Sequence, residues 1–256
     1  MSLLKELSAG SLKVKVFENR AQMGEDAAKD IAACIKKLQS EKDEINIIFA
    51  AAPSQNDTIG ALIATEGIEW NKINAFHMDE YVGLAKDAPQ GFGNFLKACL
   101  FDKVNFKSVN YIYSETETAE EICARYSELI KNNPIDIVCL GIGENAHIAF
   151  NDPWVAEFDD KEIIKRVKLD ETCRNQQVND GCFAKLEDVP KEALTLTIPV
   201  LYNASYLFCS VPAPTKADAV YNTVNCDITE DVPATIMKKH ANAIMYCDAD
   251  SAAKIL

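Results

Sequence analysis

Residues 135–153 read IDIVCLGIGENAHIAFNDP, an apolar run followed by a glycine turn, a histidine, a carboxylate and a proline. The run at 135–142 lacks polar alternation, the pattern of a strand buried on both faces. Similar runs recur at 12–17, 45–51, 73–78, 193–198, 206–211 and 243–247. Between them lie segments of helical spacing: Ala28, Ile31, Ile35 and Leu38 share one face of 22–38, and Ala119, Ile122, Tyr126 and Ile130 share another. Strand and helix in alternation predict an α/β fold with a mainly parallel sheet, helices on both faces, and a single domain over residues 1–256. The stretch 151–188, charged and weakly periodic, is expected as a lid or surface excursion.

The glycines at 141 and 143 with Ala146 spell G-x-G-x-x-A, a dinucleotide fingerprint when it opens a long crossover helix. Pro153 follows Ala146 after only seven residues and leaves no room for that helix. What remains is a turn that approaches a ligand closely and delivers His147 and Asp152 to one rim. His77 and His240 fit structural roles.

Composition narrows the partners. A formal net charge of −13 disfavours nucleic acid and anionic membranes, whose binding draws on clustered Lys and Arg. A small anionic ligand must therefore be met by a few local donors. Two helix starts after strands offer them: Ser54, Gln55 and Asn56 at one, Thr215 and Lys216 at the other. No apolar stretch is long enough for a signal-peptide core or a membrane span. Nine scattered cysteines without a C-x-x-C pair suggest reduced thiols in a cytoplasmic protein, with no disulfide scaffold or zinc site.

Ligands of open parallel sheets bind beyond the carboxyl ends of the strands. The run 73–78 ends there in Asp79 and Glu80, adjacent carboxylates suited to general-base chemistry if desolvated.

Five strings in this order, FHMDEYVGL (76–84), FGNFLKACLFDKV (92–104), LGIGENAHIAFNDP (140–153), DVPKEALTLTI (188–198) and PTKADAV (214–220), resemble the glucosamine-6-phosphate deaminase/isomerase family. The resemblance implies a Rossmann-like fold, no cofactor or metal, and conversion of a phosphosugar, glucosamine 6-phosphate, with water into fructose 6-phosphate and ammonia. By the same resemblance Asp79 moves a proton between C1 and C2, and His147 assists ring opening. Asn145 and Asp152 support that histidine, standing where many members have aspartate and glutamate. Ser54, Gln55, Asn56, Glu80, Gly143 and Lys216 complete the expected substrate-binding set, and a homo-oligomer is left open. The departures lie in the phosphate site: Ala52-Pro53-Ser54-Gln55-Asn56-Asp57 replaces a glycine- and threonine-rich loop, and the family's phosphate arginine has no counterpart in 179–183. Aldose-to-ketose chemistry needs a positioned base and proton relay, which these residues supply. A 6-phosphogluconolactonase-like hydrolase and a catalytically inactive sugar-phosphate sensor are the alternatives.

Overall fold

The computed structural model describes residues 3–169, 171–179 and 181–256. In chain order a hairpin of β1 (Leu3–Ala9) and β2 (Leu12–Phe17) leads to α1 (Arg20–Glu41), β3 (Ile45–Phe49), α2 (Asn56–Ile63) and β4 (Ile73–His77). Next come β5 (Asp79–Tyr81), α3 (Phe92–Leu96), β6 (Ser108–Asn110), α4 (Ala119–Asn132) and β7 (Ile137–Leu140). The chain closes with β8 (Ile164–Lys168), α5 (Glu171–Asn179), β9 (Glu192–Leu196), α6 (Ile198–Tyr202), β10 (Tyr206–Val211), α7 (Ala217–Asn225) and β11 (Ala243–Asp248).

Eight strands form one sheet in the order β1-β2-β11-β10-β7-β3-β4-β6, parallel throughout except for the β1–β2 hairpin. Alternate residues of each central strand feed two apolar layers. Ile48, Val138 and Leu140 enter one, while Ile47, Phe49, Ile137 and Cys139 enter the other. Burial on both faces is why these runs lack polar alternation. Strand order reverses between β3 and β7, and such a switch point opens a crevice at the carboxyl ends of the strands.

A second sheet, β5-β9-β8, is antiparallel and corrects two expectations. The 193–198 run does not join the main sheet. Its residues Ala193 and Leu194 face opposite apolar layers, so an antiparallel strand acquires the unbroken apolar pattern of a parallel one. The 151–188 stretch is likewise no loose excursion: it carries β8 and α5, and Val167, Leu169, Cys173 and Phe183 are buried in the core. Among the described residues, no helix is long and apolar enough to cross a membrane.

The chain passes between the sheets at Met78, whose carbonyl accepts from the Leu196 N–H at 2.8 Å. Leaving one sheet strands backbone polar groups in an apolar interior, where each unpaired group is costly. His77, fully buried, prevents this. Its Nδ1 donates to the Asp79 carbonyl at 2.9 Å and its Nε2 accepts from the Ile112 N–H at 2.9 Å, an arrangement that fixes the neutral tautomer. From α4 the buried Tyr126 hydroxyl donates to the His77 carbonyl at 2.9 Å and accepts from its N–H at 3.2 Å.

Burial pushes the His77 imidazole down from 6.5 to about 4. A depressed pKa contributes stability above pH 6.5 that is lost as pH falls toward 4, because only the unfolded chain takes up the proton in that window; the shift corresponds to about 3 kcal/mol. Asp79 and Glu80, both raised by burial, act in the opposite sense, so the effect is read as a difference. In urea unfolding, His77→Asn is expected to be less stable than wild type at pH 7.5 but to lose less of its stability between pH 6.5 and 4. Parallel pH profiles for the two proteins would refute the assignment.

Candidate active site

At the switch point the loops after β3, β4, β7 and β10 enclose a cavity of about 250 Å³. Of the expected site residues, Ser54, Gln55, Asp79, Gly143, His147 and Lys216 line it.

Asp79 is the first residue beyond the change of sheet. Burial first, then the neighbouring Glu80 carboxylate, push its acid well above the ordinary value. Glu80 does not join the cavity lining. Its oxygens accept from the backbone N–H groups of Tyr81, Phe92 and Gly93 at 2.9–3.0 Å, which caps the start of α3. The expected substrate contact at Glu80 is therefore replaced by a structural one: N–H groups 12 and 13 residues away claim both oxygens.

After β7 the chain makes a tight turn, with the Gly143 N–H donating to the His147 carbonyl at 2.9 Å. No crossover helix opens here; irregular chain and turns run from Gly141 toward β8. The imidazole lies flat on Gly143, where an added Cβ would fall 2.1 Å from His147 Cε1. That is why glycine is required at 143. His147 Nδ1 faces two oxygens, Asn145 Oδ1 at 2.8 Å and Asp152 Oδ1 at 3.0 Å, so it carries the proton and Nε2 is the basic nitrogen. Asn145 Nδ2 bridges to Asp152 Oδ1 at 2.8 Å. Asn145 and Asp152 thus stand together behind the histidine: each offers an oxygen to Nδ1 directly, and the bond between them ties the two side chains to each other. Burial alone would raise Asp152, but hydrogen bonds and charge from His147, with bonds from Asn145 and Cys173, hold it below its ordinary value. His147, Asp152 and Cys173 bring possible ligand atoms within 4.8 Å of one another, a convergence of three donors that their scattered positions in sequence conceal. Their hydrogen bonds to each other account for it.

After β3 the Ser54-Gln55 turn enters α2. Gln55 is 2% exposed, and its Nε2 donates to the Ser210 carbonyl at 3.1 Å and to Ser54 Oγ at 3.0 Å, tying the loop to β10. Asn56 begins α2 on the exposed side and is not brought to the cavity; one residue of helical advance turns it outward. After β10, Ala213 at φ 89° turns the chain into the Pro214–Lys216 turn, which delivers a buried Lys216.

Three lining residues escape a sequence reading. Gln176 and Gln177 project from α5, in the stretch expected to be irregular. Gln176 Oε1 accepts from the Glu144 N–H at 2.9 Å and so links α5 to the histidine turn. Arg20, on the first turn of α1, also reaches the cavity wall. In the 179–183 stretch, Asp180 lies outside the described residues.

Three alanines have positive φ, Ala146 (64°), Ala149 (52°) and Ala213 (89°); the last two line the cavity and Ala146 directly precedes His147. Non-glycine residues in that region carry strain of order 1–3 kcal/mol, which collects at functional loops.

Comparison with known proteins agrees with this architecture. Residues 18–246 match the model of the family described as glucosamine-6-phosphate isomerases/6-phosphogluconolactonase. A glucosamine-6-phosphate deaminase of Exiguobacterium sibiricum is 37% identical over 191 residues, covering 72% of this chain and 74% of the relative. One of Listeria monocytogenes is 32% identical, covering 82% and 87%. The solved structure of a monomeric glucosamine-6-phosphate deaminase superposes with TM-score 0.84 at 27% identity, covering 94% of this chain and 98% of that one. A 6-phosphogluconolactonase from Thermotoga maritima, at 18% identity and TM-score 0.75, shares the fold. This chain is a member of the glucosamine-6-phosphate isomerase/6-phosphogluconolactonase family.

Proposed function

We propose that the protein converts glucosamine 6-phosphate and water into fructose 6-phosphate and ammonia. The observation that carries this reading is the shared cavity of Asp79, a buried carboxylate of raised basicity, and His147, whose Nε2 makes no hydrogen bond among the described residues. In this scheme His147 Nε2 accepts the proton of the C1 hydroxyl as the pyranose ring opens, and returns it to the ring oxygen. The Asp79 carboxylate then removes the C2 proton while the carbonyl oxygen at C1 takes one from the C2 ammonium, giving a neutral enolamine, and Asp79 redelivers its proton to C1. This leaves an imine at C2, to which water adds as ammonia departs.

The two carboxylates of the site suit this division of labour. One is raised by burial, and the other is held ionised against burial by its hydrogen bonds. Environments that push two acids apart in this way separate a proton carrier from a charge that only orients. The MDEYVGL stretch around Asp79 resembles the deaminases more closely than the lactonases, and a proton shift between two carbons employs a carrier such as Asp79 besides the histidine, so deamination is favoured over lactone hydrolysis. Lys216 and the Ser54 turn supply donors for the sugar phosphate. Every residue in the scheme belongs to one chain, so a single domain would serve as the catalytic unit even within a homo-oligomer. The nine cysteines, none in a disulfide, suit a reducing, cytoplasmic setting.

Incubation with glucosamine 6-phosphate is expected to release ammonia and fructose 6-phosphate in equal amounts. Phosphosugar binding without either product would instead identify a sensor. Asp79→Asn should lower kcat by about 10³-fold or more with binding retained; an active variant refutes the scheme. Since Asp79 acts ionised and its acid is raised, kcat/KM should fall on acidification through a limb lying above the usual 3.8 of an aspartate. Gly143→Ala should displace the His147 ring and cost about 10²-fold in kcat, with little change in melting temperature. Retention of wild-type turnover would show that the ring position is not critical.

A further inference from the structure

The phosphate end of the cavity presents a charge problem. A phosphate monoester brings nearly two negative charges to a chain whose formal net charge is already −13, so the balance must be made at close range. Among the described residues lining the cavity, two side chains are basic, Lys216 and Arg20. The first follows a strand end and is visible in the sequence. The second comes from the opposite end of the chain, on the helix start that follows β2 after Glu18 and Asn19.

Arg20 is poorly placed for helix stability. It occupies the first position of α1, directly after the Asn19 cap, in a first turn without an acidic residue. A cation there opposes the helix dipole. The packing around it shows what holds it in place. Gly24, one turn further along the same face, lies so close to α2 that an added Cβ would fall 2.6 Å from Asp57 Cβ. This contact seats the start of α1 against the start of α2. Across the junction Arg20 Nε donates to Asp57 Oδ2 at 2.7 Å, and Nη2 bonds to the same oxygen at 2.6 Å and to the Pro53 carbonyl at 3.1 Å. The guanidinium is therefore fixed to the turn that carries Ser54 and Gln55. Nη1 makes no hydrogen bond within the described residues, and the side chain remains 45% exposed.

We infer that Arg20 is a specificity-determining residue that grips the substrate phosphate together with Lys216, taking the place of the arginine absent from 179–183. The inference rests on the phosphosugar reading and adds to it a cation from α1. Asp57 is the partner that orients the fork. It also competes with the phosphate for the guanidinium, since a carboxylate and a phosphate dianion seek the same donors. Lys216 supplies a point charge from one wall and Arg20 a planar fork from the other, so a phosphorylated ligand is preferred over its neutral counterpart.

The test uses the full-length protein and inorganic phosphate, followed by calorimetry, so that it does not depend on turnover. Arg20→Ala is expected to weaken phosphate binding at least about tenfold, and Arg20→Lys to restore only part of it because the ammonium lacks the fork. Asp57→Asn removes the competing carboxylate and should tighten phosphate binding severalfold. Should Arg20→Ala fail to fold, Asp57→Asn carries the test alone. Phosphate affinity unchanged in a folded Arg20→Ala protein, affinity unchanged or weaker in Asp57→Asn, or no phosphate binding by the wild type overturns the inference. Arg20-dependent phosphate binding in a protein that releases no ammonia would uphold it and refute deamination instead.

Discussion

The site depends on a histidine that stays uncharged. The chain can change sheets beyond β4 because His77 spans the gap as a neutral donor–acceptor, pairing backbone groups that neither sheet reaches. Tyr126 completes the pairing from the other side. With these bonds in place, Asp79 emerges at the cavity wall with its carbonyl already committed, and only its carboxylate is left for chemistry. A charged imidazole in that position would face an N–H donor it could no longer accept from, and the junction would lose its reason to hold.

The same economy governs the other loops. Several groups at the cavity are held from behind: His147 by Asn145 and Asp152, the Ser54 turn by the bond from Gln55 to the Ser210 carbonyl of β10, the start of α3 by Glu80. Side chains held by such backing lose little freedom when a ligand arrives, which is how a small cavity keeps reacting groups within bonding distance.

Much of this was legible in the sequence. Asp79 and His147 follow apolar runs, and a residue after a buried strand must lie near the carboxyl edge of the sheet. The wrong expectations share a physical origin, since each turned on a partner remote in the chain. Glu80 looks like a second active-site acid until Phe92 and Gly93 claim its oxygens. Asn56 looks like a donor beside Ser54 and Gln55, but helical advance carries it outward. The 193–198 run was misassigned because two-sided burial erases the signature that separates antiparallel strands from parallel ones. Arg20 left only a faint mark, a cation where a helix prefers an anion, and its meaning rests on Asp57 and Pro53 more than thirty residues away.

The alanines at positive φ bear on how the family's sequences diverge. At 146, 149 and 213 the backbone admits few side chains whatever the ligand, since a branched or bulky residue could not adopt those angles at tolerable strain. Glycine would fit more easily, but it would loosen the turn that aims His147. Drift at these positions is therefore confined to a narrow alphabet by geometry alone. Small residues recurring there across relatives would record the shape of the turns, and it would be an error to count them among the groups that touch the sugar.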